Sequence, residues 1–350
     1  SVADALKMLP AELIKSVEVI TSPSAKYDAE GSAGIINIIT KKSTLQGLNL
    51  NLDSGVGVRA SNLGLNGNYR QGKLGISFGG FGRAMYNKSD SESEQNIFNL
   101  DPTKNVTTLQ TQTGKNNGLF GRYNLGFDYD LAKNQSLSAG LAFGTRNFGR
   151  DQLLYSKSTG ATNSEIWRDV NSNDNSHSVD ANLDYIRTFK PGQEWSISTM
   201  YSQNKLINNF TSDFLTGVDG ELLRTQQNIN HNLNTEITLQ TDYVTPIGKK
   251  QQIEFGIKGV MRGVDSDYEY LFGLPGSTPV SDAKNPAGFL NYAQNVYSGY
   301  VSYLFTTKNR INFKLGTRYE RTQITADDPK GNIVIPAYDN LVPSINISKT

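Results

Sequence analysis

The run Asp265-Ser266-Asp267-Tyr268-Glu269-Tyr270 interleaves carboxylates with phenol rings. Carboxylates accept hydrogen bonds or hold cations, and aromatic faces attract cations, so a site for a sugar or a cation could use these groups. The commoner explanation is a solvated surface loop, because loops are polar and lie outside the core. The segment is therefore predicted to be a polar loop, and its candidate ligand-binding residues are Asp265, Asp267, Tyr268 and Tyr270.

The remaining reactive residues do not form a catalytic motif. Neither His177 nor His231 has a partner at metal-binding spacing, and the sequence has no HExxH, Gly-x-Ser-x-Gly or phosphate-loop motif. Cysteine is absent, which excludes a thiol nucleophile, a thiolate metal site and a disulfide. Gly31 and Gly34 precede a predicted strand rather than a helix, which argues against a phosphate loop. The sequence predicts no enzyme, no metal site and no cofactor.

Composition narrows the class of protein further. The chain has 350 residues and a formal net charge of +1, with no basic run, so nothing indicates a nucleic-acid partner. No apolar stretch is long enough for a membrane-spanning helix. A chain of this length can form one large β-structure, and its many Gly, Asn, Ser, Thr and Tyr residues suit strands and turns.

From Leu48 onward, apolar and polar residues alternate with the period of two that is typical of strands. The runs last about 10–14 residues, against a mode near 5–6 in globular proteins. A membrane strand needs about 9–11 residues, with apolar side chains toward lipid and polar ones toward the lumen. Strand length therefore favours a membrane barrel over a soluble sandwich, and Asp128 and Asp130 are expected to pair with Arg or Lys on the lumen side. The alternation, with apolar side chains on one face only, is clearest in six runs: Leu119 to Leu131, Leu137 to Phe143, Val179 to Tyr185, Leu233 to Tyr243, Ile253 to Met261 and Ile311 to Tyr319.

The connections between these runs alternate between short and long. Outer-membrane barrels have short periplasmic turns and longer extracellular loops, whereas loops beyond about 12–15 residues are uncommon in compact domains. Short turns are predicted at 71–73, 132–135, 190–193, 246–250 and 306–309, and long polar loops at 89–116, 150–176, 209–231, 265–291 and 323–339. Aromatic residues cluster near the short turns, as in an interfacial girdle: Phe127, Tyr129, Tyr185, Phe189, Trp195, Tyr243, Tyr303, Phe305 and Phe313.

The first 42 residues differ in kind from the rest. Two apolar strands are predicted, Val17–Ile20 and Ile35–Ile39, on either side of a turn rich in small residues that begins Pro23-Ser24-Ala25-Lys26-Tyr27. This pattern resembles the C-terminal end of the plug domain of TonB-dependent outer-membrane receptors. In that family a Val-Glu-Val-Ile strand leads to a Pro-Ser-Ala-x-Tyr turn and a Gly-x-x-Gly-Ile-Ile-Asn-Ile-Ile-Thr-Lys-Lys strand. The turn Tyr27-Asp28-Ala29-Glu30-Gly31 replaces the Tyr-Gly-Ser type of many relatives and resembles the branch known as outer membrane protein β-barrel.

The resemblance implies an all-β fold, a transmembrane antiparallel β-barrel of about 22 strands preceded by a small α/β plug domain. The C-terminal end of the plug would occupy residues 1–42, and about the first half of the barrel would occupy residues 43–350. The native chain is expected to continue beyond both ends. By resemblance, the residues that pack the plug against the barrel are Pro23, Tyr27, Gly31, Gly34 and Asn37.

The resemblance also implies a function: active uptake of a scarce nutrient across the outer membrane of a Gram-negative bacterium. The inner-membrane TonB complex would supply the energy through a segment upstream of Ser1. Other expected partners are outer-membrane lipids, a small-molecule, glycan or peptide ligand, and a surface lipoprotein. The alternatives are a passive porin-like or surface adhesion barrel, and a secreted soluble β-domain. The segment from Val17 to Lys42 distinguishes the plugged receptor from an open barrel.

Overall fold

The computed structural model describes residues 14–20, 25–26, 35–40, 46–282 and 287–349, and nearly all of them are in β-strands. Strand β1 (Ile14–Ile20) pairs antiparallel with β2 (Ile35–Thr40) in a separate two-stranded sheet. These are the two strands predicted for the first 42 residues, and β1 begins three residues earlier than predicted. Among the described residues, no helix is long and apolar enough to cross a membrane.

All other strands form one 13-stranded antiparallel sheet in which neighbours in sequence are neighbours in space. β12 pairs only with β11, and along the described chain β3 and β15 each pair with a single neighbour. A turn of 3-10 helix, Pro102–Lys104, lies between β5 and β6. The strand bounds are β3 Gly47–Val56, β4 Ala60–Gln71, β5 Leu74–Ile97, β6 Val106–Ala132, β7 Gln135–Gly160, β8 Ser164–Lys190, β9 Gln193–Leu215, β10 Leu222–Gly248, β11 Gln251–Gly273, β12 Val280–Ser281, β13 Gly288–Thr306, β14 Ile311–Asp328 and β15 Gly331–Lys349.

The strands are much longer than predicted, because most of each expected long loop continues the hairpin. β6, β8 and β10 have 27 residues each. The segment expected as a loop at 89–116 is paired from Ser89 opposite Gly114 to Ile97 opposite Val106. Polar residues such as Ser, Thr, Asn and Gln can keep the period of two, and pairing satisfies their backbone groups. The prediction of long irregular loops was wrong in extent.

The predicted short turns are confirmed at the opposite ends of the strands. Gly72 and Gly192 have φ of +57° and +77°, the left-handed conformation that glycine adopts without steric cost. The aromatic residues predicted near these turns lie in contact with one another. Phe305 and Phe313 stack with ring centroids 5.0 Å apart, and Tyr185 meets Trp195 edge to face at 5.9 Å.

The two faces of the sheet differ in polarity. Directly opposed residues on antiparallel strands point to the same face, so register assigns every side chain to one face or the other. One face carries large apolar side chains that remain open, such as Ile257 (64% exposed) and Leu183 (49% exposed). We call this the outer face. The opposite, inner face carries ion pairs such as Arg70–Asp130 and Arg262–Glu236.

Candidate functional site

The turn residues Ala25 and Lys26 lie against the inner face of the sheet. Nζ of Lys26 is 3.1 Å from Oδ2 of Asp242 and 3.9 Å from Oε1 of Glu254. Nη1 of Arg318 donates to the carbonyl oxygen of Lys26 at 3.4 Å. Ala25 is only 5% exposed, so the turn is seated on the strands.

Register explains why the residues beneath the turn meet. Asp242 on β10 is directly opposite Gly256 on β11, Gly256 is opposite Tyr300 on β13, and Tyr300 is opposite Arg318 on β14. Residues in such a row share a face, so local alternation along four strands produces one polar surface. We call Asp242, Glu254, Tyr300, Gly316 and Arg318 the turn seat.

A glycine in the turn seat makes room for Ala25. Gly316 lies between Ser302 and Ser344, which are its directly opposed neighbours. A Cβ at Gly316 would be 3.0 Å from Cβ of Ala25 and 2.7 Å from Oγ of Ser302, closer than side chains normally approach. The absence of a side chain at this position therefore lets the turn approach the sheet backbone.

The charges of the turn seat and its neighbours are balanced. Nε of Arg318 is 2.6 Å from Oε1 of Glu320, and these side chains are 1% and 9% exposed. Nζ of Lys314 is 2.6 Å from Oε2 of Glu254. The cations and carboxylates number three each: Lys26, Lys314 and Arg318 against Asp242, Glu254 and Glu320. Buried ions are tolerated when they are paired, so the removal of Lys26 would leave the carboxylates in excess.

Asp242 accepts hydrogen bonds from two neighbouring side chains. Its Oδ1 accepts from the hydroxyl of Tyr300 at 2.5 Å, and Nε2 of Gln240 donates to Oδ2 at 2.9 Å. Its side chain is 7% exposed. The described part of the chain has no group of three or more His, Cys, Asp or Glu residues that could hold a metal. The chemistry that this arrangement supports is retention of a chain segment by charge and hydrogen bonds.

The inner face carries further ion pairs away from the turn seat. Nη2 of Arg70 is 2.8 Å from Oδ2 of Asp130, which confirms the lumen-type pairing predicted for this carboxylate. Similar pairs repeat across the strands, with N–O distances of 2.8 or 2.9 Å: Arg122–Asp180, Arg146–Asp174 and Arg262–Glu236. The inner face is thus a polar wall over most of its width.

The residues predicted from the plug motif are mostly outside the described part of the chain. Pro23, Tyr27, Gly31 and Gly34 are not among the described residues, and Asn37 is described only as part of β2, opposite Glu18. Their assignment stays a prediction.

The predicted ligand-binding loop is a strand, and its residues do not form one cluster. Asp265, Asp267, Tyr268 and Tyr270 all lie within β11, which has no bulge. The strand alternation sends the two carboxylates to the outer face and the two tyrosines to the inner face. Tyr268 and Tyr270 meet edge to face, with centroids 6.2 Å apart. The expected loop is therefore corrected to a strand that separates the carboxylates from the rings, and a ligand-binding role of these residues stays a prediction.

The turn seat was missed because the partners of Lys26 are far away in sequence. Alternation correctly placed Asp242, Glu254 and Arg318 on the polar side of their strands. Alternation by itself did not indicate which part of that polar face would receive the turn. A glycine at 316 within an otherwise regular strand was the available signal of a close approach.

Residues 187–350 match the model of the outer membrane protein beta-barrel family. This is an outer-membrane β-barrel protein. The match covers the strands that form the turn seat, and the antiparallel sheet with an apolar outer face agrees with it. The predicted outer-membrane location is therefore confirmed.

The other comparisons add little about this barrel protein. One solved structure that the chain matches is the outer membrane protease OmpT from Escherichia coli, at 11% identity and a TM-score of 0.23, over 79% of this chain and 95% of that one. A similarity of that size carries no argument about activity. No curated protein matches the chain.

Proposed function

We propose that this barrel protein is part of a TonB-dependent outer-membrane receptor that takes up a scarce nutrient. Residues 1–42 would be the C-terminal end of its plug, and residues 43–350 about the first half of its barrel. The single observation that carries the proposal is the turn Ala25–Lys26 seated on the inner face. A segment held inside a barrel by charge blocks the lumen, and a gated receptor needs such a block.

Two further features support the proposal. Along the described part of the chain, β3 and β15 each have one side without a partner strand, and in lipid such a side would leave backbone groups unsatisfied; a barrel in which further strands pair with them would remove this cost. Water can replace the carboxylate partners of Lys26, because the side chain of Lys26 is 32% exposed. A pulling force from the inner-membrane TonB complex could therefore unseat the turn without unfolding the sheet. In this proposal the protein carries a ligand and performs no catalytic step.

A single-cysteine experiment tests whether the turn is released by TonB. The 350 residues contain no cysteine, so a thiol introduced within them is unique in this region. Ala25→Cys places it at a position that is 5% exposed, and Val58→Cys provides a control at 92% exposed. In the full-length protein in growing cells, a maleimide should label Ala25→Cys slowly without TonB and several-fold faster with it. Val58→Cys should label at one rate in both strains.

Channel conductance supplies the second arm of the test. Full-length protein in planar lipid bilayers should conduct little, and deletion of 14–40 should open a large conductance. High conductance of the intact protein would contradict the receptor proposal, and so would an Ala25→Cys labelling rate that is the same with and without TonB. Either result would favour the passive porin-like barrel.

A further inference from the structure

The phenyl ring of Phe214 lies between two guanidinium groups on the inner face. Cζ of Arg168 is 5.4 Å from the ring centroid, and Cζ of Arg224 is 4.0 Å from it. The three residues occupy one row, because Phe214 on β9 is directly opposite both Arg168 on β8 and Arg224 on β10. The ring is only 8% exposed, so the two cations cover it.

A second group of the same type lies on the neighbouring strand. Cζ of Arg146 and Cζ of Arg150 are 5.9 Å and 5.2 Å from the ring centroid of Phe148. Phe148 and Arg146 also line a pocket of about 440 Å³ with Phe120 and Arg122 on the inner face. We call Arg146, Arg150, Arg168 and Arg224, with Phe148 and Phe214, the arginine wall.

The arginine wall has an excess of positive charge. Arg146 pairs with Asp174 at 2.9 Å, whereas no carboxylate among the described residues pairs with Arg150, Arg168 or Arg224. Nε of Arg168 is buried and has no hydrogen-bond partner in the described structure. A buried donor without an acceptor costs free energy, and an anion could supply the missing acceptor.

Apart from Asp174, which pairs with Arg146, the carboxylates next to the arginine wall in sequence lie on the other side of the sheet. Three aspartates are each next to an arginine-wall residue in sequence and therefore point to the outer face: Asp151 beside Arg150, Asp169 beside Arg168, and Asp213 beside Phe214. An arginine and a carboxylate on adjacent strands can form an ion pair only when both side chains lie on the same face, so these three carboxylates cannot neutralise the arginine wall. Around Arg150, Arg168 and Arg224 this arrangement leaves an inner surface with an excess of positive charge, which attracts anions.

We infer that the arginine wall binds an anionic ligand with a flat aromatic or apolar part. Guanidinium groups match carboxylate, phosphate and sulfonate oxygens in planar, paired hydrogen bonds. The 440 Å³ pocket, which Phe120 and Phe148 line, accommodates an apolar portion. This inference rests on the proposed function, since it names the class of solute that the receptor would pass from the hairpin ends toward the turn seat.

Fluorescence anisotropy with pyranine, a pyrene trisulfonate, tests this site in nonionic detergent. The variant pair Arg168→Gln/Arg224→Gln should raise the Kd of pyranine by at least about tenfold, because charged hydrogen bonds are lost. Arg187→Gln is the matched control, since Cζ of Arg187 lies 4.7 Å from the ring of Phe189 but on the outer face. It should change the Kd less than about twofold, and a cationic aromatic dye should not bind.

Three results would overturn the site: no saturable binding of pyranine, an unchanged Kd in the double variant, or an equal loss in Arg187→Gln. The folded fraction of each sample is measured from its migration on gels without heating. Pyranine binding is compared only between samples with equal folded fractions. The outcome is separable from the receptor proposal, because pyranine binding in detergent requires neither TonB nor a seated turn.

Discussion

The hydroxyl of Tyr300 on β13 donates a 2.5 Å hydrogen bond to Oδ1 of Asp242 on β10, across the intervening strand β11. The residue between them is Gly256, and a Cβ there would lie 2.5 Å from Oδ1 of Asp242 and 2.8 Å from Cε1 of Tyr300. The phenol therefore lies over a glycine to reach the carboxylate that holds Lys26. This bridge fixes Asp242 beneath the turn.

Replacement of Gly256 by alanine should destabilise the sheet by about 1–3 kcal/mol, because the added methyl forces the tyrosine or the carboxylate to move. Urea unfolding of refolded protein in detergent, followed by the gel shift of unheated samples, measures the change. Gly248→Ala is the control, since a Cβ at Gly248 has no atom within 4 Å. Equal midpoints for the two variants would show that the space over Gly256 is not required.

Tyr300→Phe removes only the hydroxyl of the bridge. The expected loss is about 1.5–3 kcal/mol, as for hydrogen bonds to charged groups. Tyr319→Phe removes a similar bond, from Tyr319 to Asp339 at 2.7 Å, on the exposed outer face, and should cost less. Equal unfolding free energies for both variants would mean that burial of Asp242 adds nothing to the bond.

Arg318→Met tests the buried ion pair. Arg318 and Glu320 have 1% and 9% exposed side chains, so Glu320 would lose its 2.6 Å partner in a dry environment. The expected cost is about 3–5 kcal/mol in unfolding free energy. The control Arg321→Met breaks a 3.6 Å pair with Asp339 whose side chains are 49% and 47% exposed. It should cost about 0–1 kcal/mol, and a similar loss in both would contradict the burial argument.

Ile257→Lys tests which face contacts lipid. Ile257 is 64% exposed on the outer face, and a lysine near the bilayer midplane costs about 2–4 kcal/mol. The control is Val334→Lys. Val334 is 84% exposed and lies near the N-terminal end of β15, next to the turn from β14, so the same change should cost only about 0–1 kcal/mol there. Guanidinium titration of protein refolded into lipid vesicles measures the unfolding free energy of both variants. Equal losses would contradict the contact of Ile257 with the lipid core.

The hairpin tip between β5 and β6 should be sensitive to acid. The hydroxyl and amide of Thr103 donate to Oδ1 of Asp101 at 2.6 Å and 3.1 Å, and these bonds lower the pKa of Asp101. A carboxylate with a lowered pKa stabilises the folded form above the ordinary value of 3.8, and this contribution is lost as pH falls through the lowered pKa. The protection factor of the Thr103 amide, which is its exchange rate relative to the intrinsic rate at the same pH, should therefore fall in acid. In Asp101→Asn the protection factor should lack this acid-dependent step, and an identical pH profile in both would refute the assignment.

The sequence alone determined the strands, their faces and their short turns. Alternation requires only neighbouring residues, so it assigns Asp242 and Arg318 to the polar side of their strands and Ile257 to the apolar side. The turn glycines and the aromatic residues near them follow from local backbone and side-chain preferences in the same way. The extent of pairing at 89–116 was not predictable, since polar residues are compatible with both a loop and a paired strand.

Tertiary structure alone decided which polar residues meet. Lys26 contacts Asp242, and the two are brought together by register across four strands and by the space over Gly316. The aspartates and tyrosines of 265–270 are adjacent in sequence, yet a straight strand sends them to opposite faces. Local pattern fixes the direction of each side chain, whereas partners depend on long-range register, which the sequence does not display.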